Sequence, residues 1–422
     1  MMSSSSSSWS DPPEDLLNHI AKRLDAEIDV LRFRAVCSSW RSSFPRPNYP
    51  NRPLPLKLPF PIAPSNRFRP NPRGFYALYE DTVYLLQLPD NEEVNACTSS
   101  PQQDRRRQGW LVRVREEFPG RFHVFSPILK RRVDYFPETF PRNLNVLNFR
   151  VTEVCKLHNL RFVSSSLPND NVGIYRREFR VVLLGNSIST GPAVFAIYGR
   201  REGDLCFMRL GDEKWTVVRH VGDVFYCDIA IRDDQFYAVD NVGMLCVFDS
   251  SFQKIATIPS PSVDGAERRI FNLVESFGDI LLVVFRNVDS FRDLIDYDQR
   301  ARGFTKHGSS HVMVQIEVYK LNEKEGNWSE VRDLGDRVLF VSNDGCWSVS
   351  AHDFAGCKGN CIYFHAFWNV QTANRDNRLR GLDYGEIGVF NLEDGTGGPL
   401  ASYPGYSDMF WPPPTWLNSN TS

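Results

Sequence analysis

The sequence has no apolar run long enough to cross a bilayer. Its longest, such as Ile280 to Phe285, stop after a handful of residues where about 20 are required, so no membrane contact is expected. Basic excess is missing too. With 49 Lys and Arg against 51 Asp and Glu the formal charge is -2, which gives no general attraction to nucleic acid. The run Ser3 to Ser8 lacks the basic start and apolar middle of a secretory signal, which points to an intracellular protein. Nine cysteines make an odd set without a paired framework, and free thiols in a reducing compartment follow.

Catalytic punctuation is equally scarce. There is no G-x-S-x-G, no H-E-x-x-H and no P-loop, so no catalytic residue is assigned. Asp233-Asp234 sits inside a hairpin signal and reads as turn chemistry. The glycine-rich stretch Glu393 to Pro399 lacks the lysine and following helix of a phosphate loop, and reads as a turn between strands. His352, Cys357, Cys361 and His365 are the right residue types for tetrahedral zinc, but their spacing is not that of a standard finger. Cys361 lies in the strand-like CIYFHAF, where cysteine commonly serves as a small core residue, so neither metal nor cofactor is assigned.

What is present begins with Trp9 to Phe44. Asp11 is placed to cap a helix whose first turn holds Pro12, Pro13, Glu14 and Asp15. Leu16, Ile20 and Leu24 then recur every four residues, with Leu17 beside them, as on one face of an amphipathic helix. Asp25 is placed to cap a second short helix holding Ile28, Leu31 and Phe33. In a third, Val36 and Trp40 lie four apart, as do Phe33 and Cys37. A unit of about 40 residues is too small to bury this much apolar surface alone, which calls for a partner.

The set Pro13-Glu14, Leu17, Ile20, Leu24, Asp29 to Phe33 and Val36 to Arg41 resembles an F-box in order and spacing. The resemblance implies docking on the Skp-type adaptor of a cullin-RING ubiquitin ligase. The implied contacts are Pro13, Leu16, Leu17, Ile20, Leu24, Leu31, Val36, Cys37 and Trp40. One departure is Pro12, where the family usually has leucine.

Residues 1–8 form a polar tail, 9–44 the helices, and 45–72 a linker crowded with proline, which favours extended backbone. Within it Leu54, Leu56, Leu58, Phe60 and Ile62 alternate, as an edge strand along the next domain would. From 73 to 417 the chain turns to short runs of Val, Ile, Phe and Tyr broken by Gly, Asp and Asn, and 418–422 is a short tail. Four-strand units begin near Phe179, Phe225, Ile270 and Val338, and the period of the cleanest units is about 40 residues. Phe75 to Leu88, Trp110 to Val114, Phe122 to Phe125 and Val133 to Phe136 supply earlier candidates. The fold class predicted is mainly β: a propeller of about six four-stranded blades, with seven as the alternative, preceded by a three-helix F-box.

Segments such as GDVFYCDIAIRDDQFYAVDNVGMLCVFD, GDRVLFVSNDGCWSVSAHDFAGCKGNCIYF and the terminal YPGYSDMFWPPPTWL resemble the plant family of F-box proteins with a kelch-like propeller. The resemblance implies a plant source and a non-catalytic substrate receptor, in nucleus or cytoplasm, that brings an unidentified protein target to the ligase. A non-ligase scaffold and a propeller acting on a small molecule stay open as alternatives.

Overall fold

A computed structural model describes residues 12–21, 23–24, 27–43, 55–59, 74–88, 109–118, 121–129, 132–133, 136, 140, 149–164, 179–184, 192–198, 203–218, 224–261, 269–288, 313–342, 344–354, 357–365, 387–400 and 409–410. Three helices come first, α1 (Glu14–Ala21), α2 (Glu27–Ala35) and α3 (Ser38–Ser43). Among the described residues no helix is long and apolar enough to cross a membrane.

Five antiparallel-rich sheets follow. The first is centred on β2 (Gly74–Gln87). One edge of β2 pairs throughout with β5 (Arg150–Ser164); the other is shared between β1 (Leu56–Leu58) and β3 (Gly109–Phe118), which pairs on with β4 (Arg121–Phe125). The second runs β6 (Phe179–Leu184), β7 (Ala193–Tyr198), β8 (Asp204–Arg209) and β9 (Thr216–Val218), each strand beside the next. The third repeats the order with β10 (Tyr226–Arg232), β11 (Gln235–Asp240), β12 (Leu245–Phe248) and β13 (Lys254–Ile258). The fourth does so with β14 (Arg269–Ser276), β15 (Asp279–Val288), β16 (Met313–Asn322) and β17 (Asn327–Val331). The fifth adds a strand: β19 (Cys346–Ser350), β18 (Arg337–Val341), β20 (Cys361–His365), β21 (Ile387–Asn391) and β22 (Thr396–Pro399), with β18 and β20 parallel.

Side-chain alternation turns these sheets into a ring. In β11, Phe236 and Ala238 point into a cluster shared with the second sheet, while Tyr237 and Val239 join one shared with the fourth. In β15 the split is Ile280, Leu282 and Val284 against Leu281, Val283 and Phe285. Both faces of a middle strand are therefore buried, which is why ILLVVF reads as a continuous apolar run. Five clusters make the five seams. Tyr76 and Leu78 meet Val194 and Met208 between sheets one and two, and Val83, Leu85 and Leu111 meet Phe340 and Tyr363 between sheets one and five. Each large side chain so buried contributes roughly 1.5–3 kcal/mol.

The expected count of about six blades is corrected to five. β5 does not begin another unit; its 15 residues return along the whole of β2 and complete the first sheet. Of Val133 to Phe136 only the two end residues are described, neither in a strand, and beside them Arg132 makes an isolated bridge to Phe125. Within Glu393 to Pro399 the turn is confined to the start, and Thr396–Pro399 is the outer strand of the fifth blade. Asp233 and Asp234 do form the β10–β11 turn, both with positive φ, 49° and 61°, as a two-residue type I′ hairpin requires.

Candidate functional site: the helical module and the ring axis

Leu17 and Ala21 of α1 and Phe33 of α2 form the core of the helical module, and Ile20, Leu24 and Trp40 pack around it half-buried. The Phe33 and Trp40 rings lie 4.6 Å apart. The inward stripe is therefore Leu17–Ile20–Ala21–Leu24, one residue round from the one expected, and Leu16 is 46% exposed. The third helix also differs from expectation. α2 ends at Ala35 and α3 starts at Ser38, so Phe33 and Cys37 do not share a helix, and Val36 stands at the bend, 58% exposed. Reciprocal bonds close that bend: Arg41 Nε donates to the Arg34 carbonyl and Arg34 Nη1 to the Arg41 carbonyl, both at 3.1 Å. Pro13 is exposed, with its carbonyl accepting the Leu16 and Leu17 amides; Cys37 is half-buried, and Leu31 belongs to α2. The expected caps Asp11 and Asp25 lie outside the described residues.

Of the nine predicted residues, Leu17, Ile20, Leu24 and Trp40 thus face inward, while Pro13, Leu16 and Val36 are exposed. α2 lies against β5, where Arg32 Nη1 donates to the Val151 carbonyl at 3.1 Å and Nη2 to the Phe149 carbonyl at 3.4 Å.

Around the ring axis the sequence reading missed a buried ionic network. Asp81 on β2 accepts both Arg113 and Arg115 of β3, together with the Asn159 amide at 3.2 Å, and its side chain is fully buried. Arg113 reaches across the seam to Asp344 in the β18–β19 turn at 2.6 Å, and Asp344 accepts Ser342 Oγ at 2.7 Å. A second pair joins Arg180 of β6 to Asp228 of β10. Arg180 also donates to the Ser342 carbonyl at 2.7 Å, while Asp228 accepts the Leu273 amide of β14 at 2.8 Å. Four sheets besides the third's Asp228 are bound by these few groups. Arg113 and Arg180 are held charged, because the carboxylates beside them outweigh the burial that disfavours the charge. The signal was present in WLVRVREEF: two arginines two apart on one face of an apolar strand call for buried carboxylates.

Next to this network lies a cavity of about 200 Å³ whose walls include Lys156, His158, Arg180, Glu275, Asp344 and Cys346. Its cations are neutralised by carboxylates: Lys156 by Glu80 at 3.0 Å, Arg180 by Asp228. Burial pushes the Glu80 carboxyl upward, but the His158 and Lys156 contacts overcome it and hold the pKa down at about 2. A lowered folded-state value gives stability that is complete above the unfolded carboxylate range and is lost as pH falls from about 5 towards 2. Glu80→Gln is therefore expected to unfold more readily at pH 7 and to show a flatter acid limb than the wild type in urea titrations across that window.

The histidine and cysteine set does not converge. His352 is exposed, Cys357 Sγ lies 3.5 Å from Met409 Sδ, and Cys361 is buried in β20 with its thiol donating to the Gly359 carbonyl. Burial pushes the Cys357 thiol up. Among the described residues no three His, Cys, Asp or Glu side chains sit together as metal ligands. Phe410, from the aromatic end, is buried beside Tyr363 at the seam between sheets five and one.

The F-box domain profile matches residues 12–50, so the three helices and the ring after them make this chain a plant F-box protein with a propeller. The profile described as KIB1-4 beta-propeller matches residues 75–391, and the chain belongs to that family. It is similar to the F-box protein SKIP23 of Arabidopsis thaliana, 29% identical over 98% of this chain and 96% of the relative. A putative F-box protein from the same plant is 30% identical over 92% and 94% of the two chains. A putative F-box/kelch-repeat protein, again from that plant, is 23% identical over 98% and 99%. Likeness to solved structures is remote: an apocarotenoid oxygenase from Synechocystis aligns over 78% of this chain and 81% of its own at 13% identity and a TM-score of 0.29, too low to support any inference.

Proposed function

We propose that this chain is the target-binding subunit of a Skp-cullin-F-box ubiquitin ligase, acting in the nucleus or cytoplasm. The helices hold the adaptor through the predicted set, Pro13, Leu16, Leu31, Val36 and Cys37 as contacts and Leu17, Ile20, Leu24 and Trp40 as the packing behind them, and the ring presents a protein target. The observation that carries this reading is the pair Leu16 and Val36, large apolar side chains left 46% and 58% exposed on a module whose own core is already filled. No reacting group is required of the chain. Transfer of ubiquitin is left to the enzyme brought by the RING subunit, and the receptor supplies proximity.

Co-purification of the full chain with a Skp-type adaptor tests this. Val36→Asp leaves the bundle core untouched and places a carboxylate in the apolar contact, so capture should weaken by about tenfold to a hundredfold. A wild-type chain that captures no adaptor removes the ligase assignment; a Val36→Asp chain that captures as well as wild type removes Val36 from the interface.

A further inference from the structure

The helical module and the ring are joined by 45–72, and a proline-rich connection alone fixes no orientation between domains. Two sets of contacts supply what it lacks. Leu56–Leu58 is zipped onto β2 as β1, with Leu58 buried in the seam between sheets one and two and the Trp215 indole N–H donating to the Pro59 carbonyl at 3.0 Å. That ends the connection firmly on the ring. On the far side of the connection, Arg32 grips β5 by both terminal nitrogens.

The acceptors of that grip are themselves immobilised. Phe149 and Val151 bury their side chains in a cluster with Leu86, Trp110 and Val112 on the first sheet, so their carbonyls form a fixed platform. Asp29, one turn before Arg32, holds the guanidinium from the helix side at 3.0 Å. Val30 is buried although it is not part of the Leu17–Ala21–Phe33 core. Leu16 and Val36 remain exposed with α2 seated in this way, so the attachment and the apolar surface offered to an adaptor use different parts of the module.

We infer that Arg32 is a positioning residue: it clamps the helical module to the first blade in one orientation and so sets the distance between a bound adaptor and the ring. This rests on the proposed ligase role for its purpose, but not for its test. A forked guanidinium satisfies two carbonyls at once from a planar group, which neither lysine nor glutamine reproduces.

The experiment is a distance distribution on the full chain without adaptor, using bio-orthogonal labels at His19, exposed on α1, and Lys324, exposed in the β16–β17 turn. Wild type should give a single narrow distance. Arg32→Lys, which keeps the charge but not the fork, should broaden it, and Arg32→Gln, which loses both, should abolish the single peak. Amide exchange in α1 and the thermal midpoint of the ring should stay as in wild type in both variants. A broad distribution in wild type, or unchanged widths in both variants, overturns the clamp. Loss of α1 protection in both variants does so as well, since Arg32 would then be a folding residue of the module. Adaptor capture is measured separately, so failure of the ligase reading leaves these distances unaffected.

Discussion

Asp81→Ala is expected to destabilise the ring by about 3–5 kcal/mol and to leave little folded protein at physiological temperature. The alanine itself is not the problem. Arg113 and Arg115 are 0% and 4% exposed, and with Asp81 gone Arg115 loses the carboxylate that binds it while Arg113 keeps only Asp344. A buried guanidinium has no low-cost way to neutralise itself, so the structure must open to water or unfold. Removing one partner of a buried pair costs far more than the pair contributed. Urea midpoints measure this directly. Asp81→Asn, which keeps one acceptor oxygen, should fall between wild type and alanine, and Glu330→Ala, which breaks the exposed pair with Arg332, should leave the midpoint unchanged. Equal midpoints for Asp81→Ala and wild type would show that the network does not hold the first and fifth blades together.

Trp40→Ala should abolish adaptor capture. The ring packs on Phe33 and on the Leu17–Ala21 core, so truncation removes bundle packing together with interface area, about 3–5 kcal/mol in sum. That corresponds to a fall in affinity of about a hundredfold to several thousandfold, beyond the reach of co-purification. Trp40→Phe refines the result. The indole N–H is buried without an acceptor among the described residues, so phenylalanine preserves most packing and removes a donor that none of them uses. Capture by Trp40→Phe close to wild type would make the residue a packing anchor. A large loss would show that the adaptor supplies the acceptor. Unchanged capture by Trp40→Ala would mean that the helices meet the adaptor through another surface.

The strands of the ring from Phe179 onward were legible because alternation and turn residues are local properties: Asp233-Asp234 fixes its hairpin whatever surrounds it. The blade count was not. Whether β5 starts a new sheet or returns along β2 depends on pairing across some 70 residues, which no local pattern encodes. The same limit hid the ionic network. Arg113 and Arg115 announce a need for carboxylates, but Asp344 lies 231 residues from Arg113 and looks, in the sequence, like one more acidic turn residue. In the helical module the spacing gave the amphipathic face to within one residue; the shift from Leu16 to Leu17 follows from where α2 packs, which is tertiary.

The seam between the fifth and first blades has a consequence for how the protein is made. Val83, Leu85, Leu111 and Leu157 leave the ribosome early, yet the groups that cover them, Phe340, Tyr363, Met409 and Phe410, are among the last to be translated. The tie from the Leu111 amide to the Met409 carbonyl, at 2.7 Å, is late for the same reason. At about 5–20 residues per second the first blade waits tens of seconds with an apolar face bare and with Arg113 still lacking its Asp344 partner. Nascent-chain occupancy by a chaperone should therefore begin as β3 emerges and end only when residue 410 has cleared the exit tunnel.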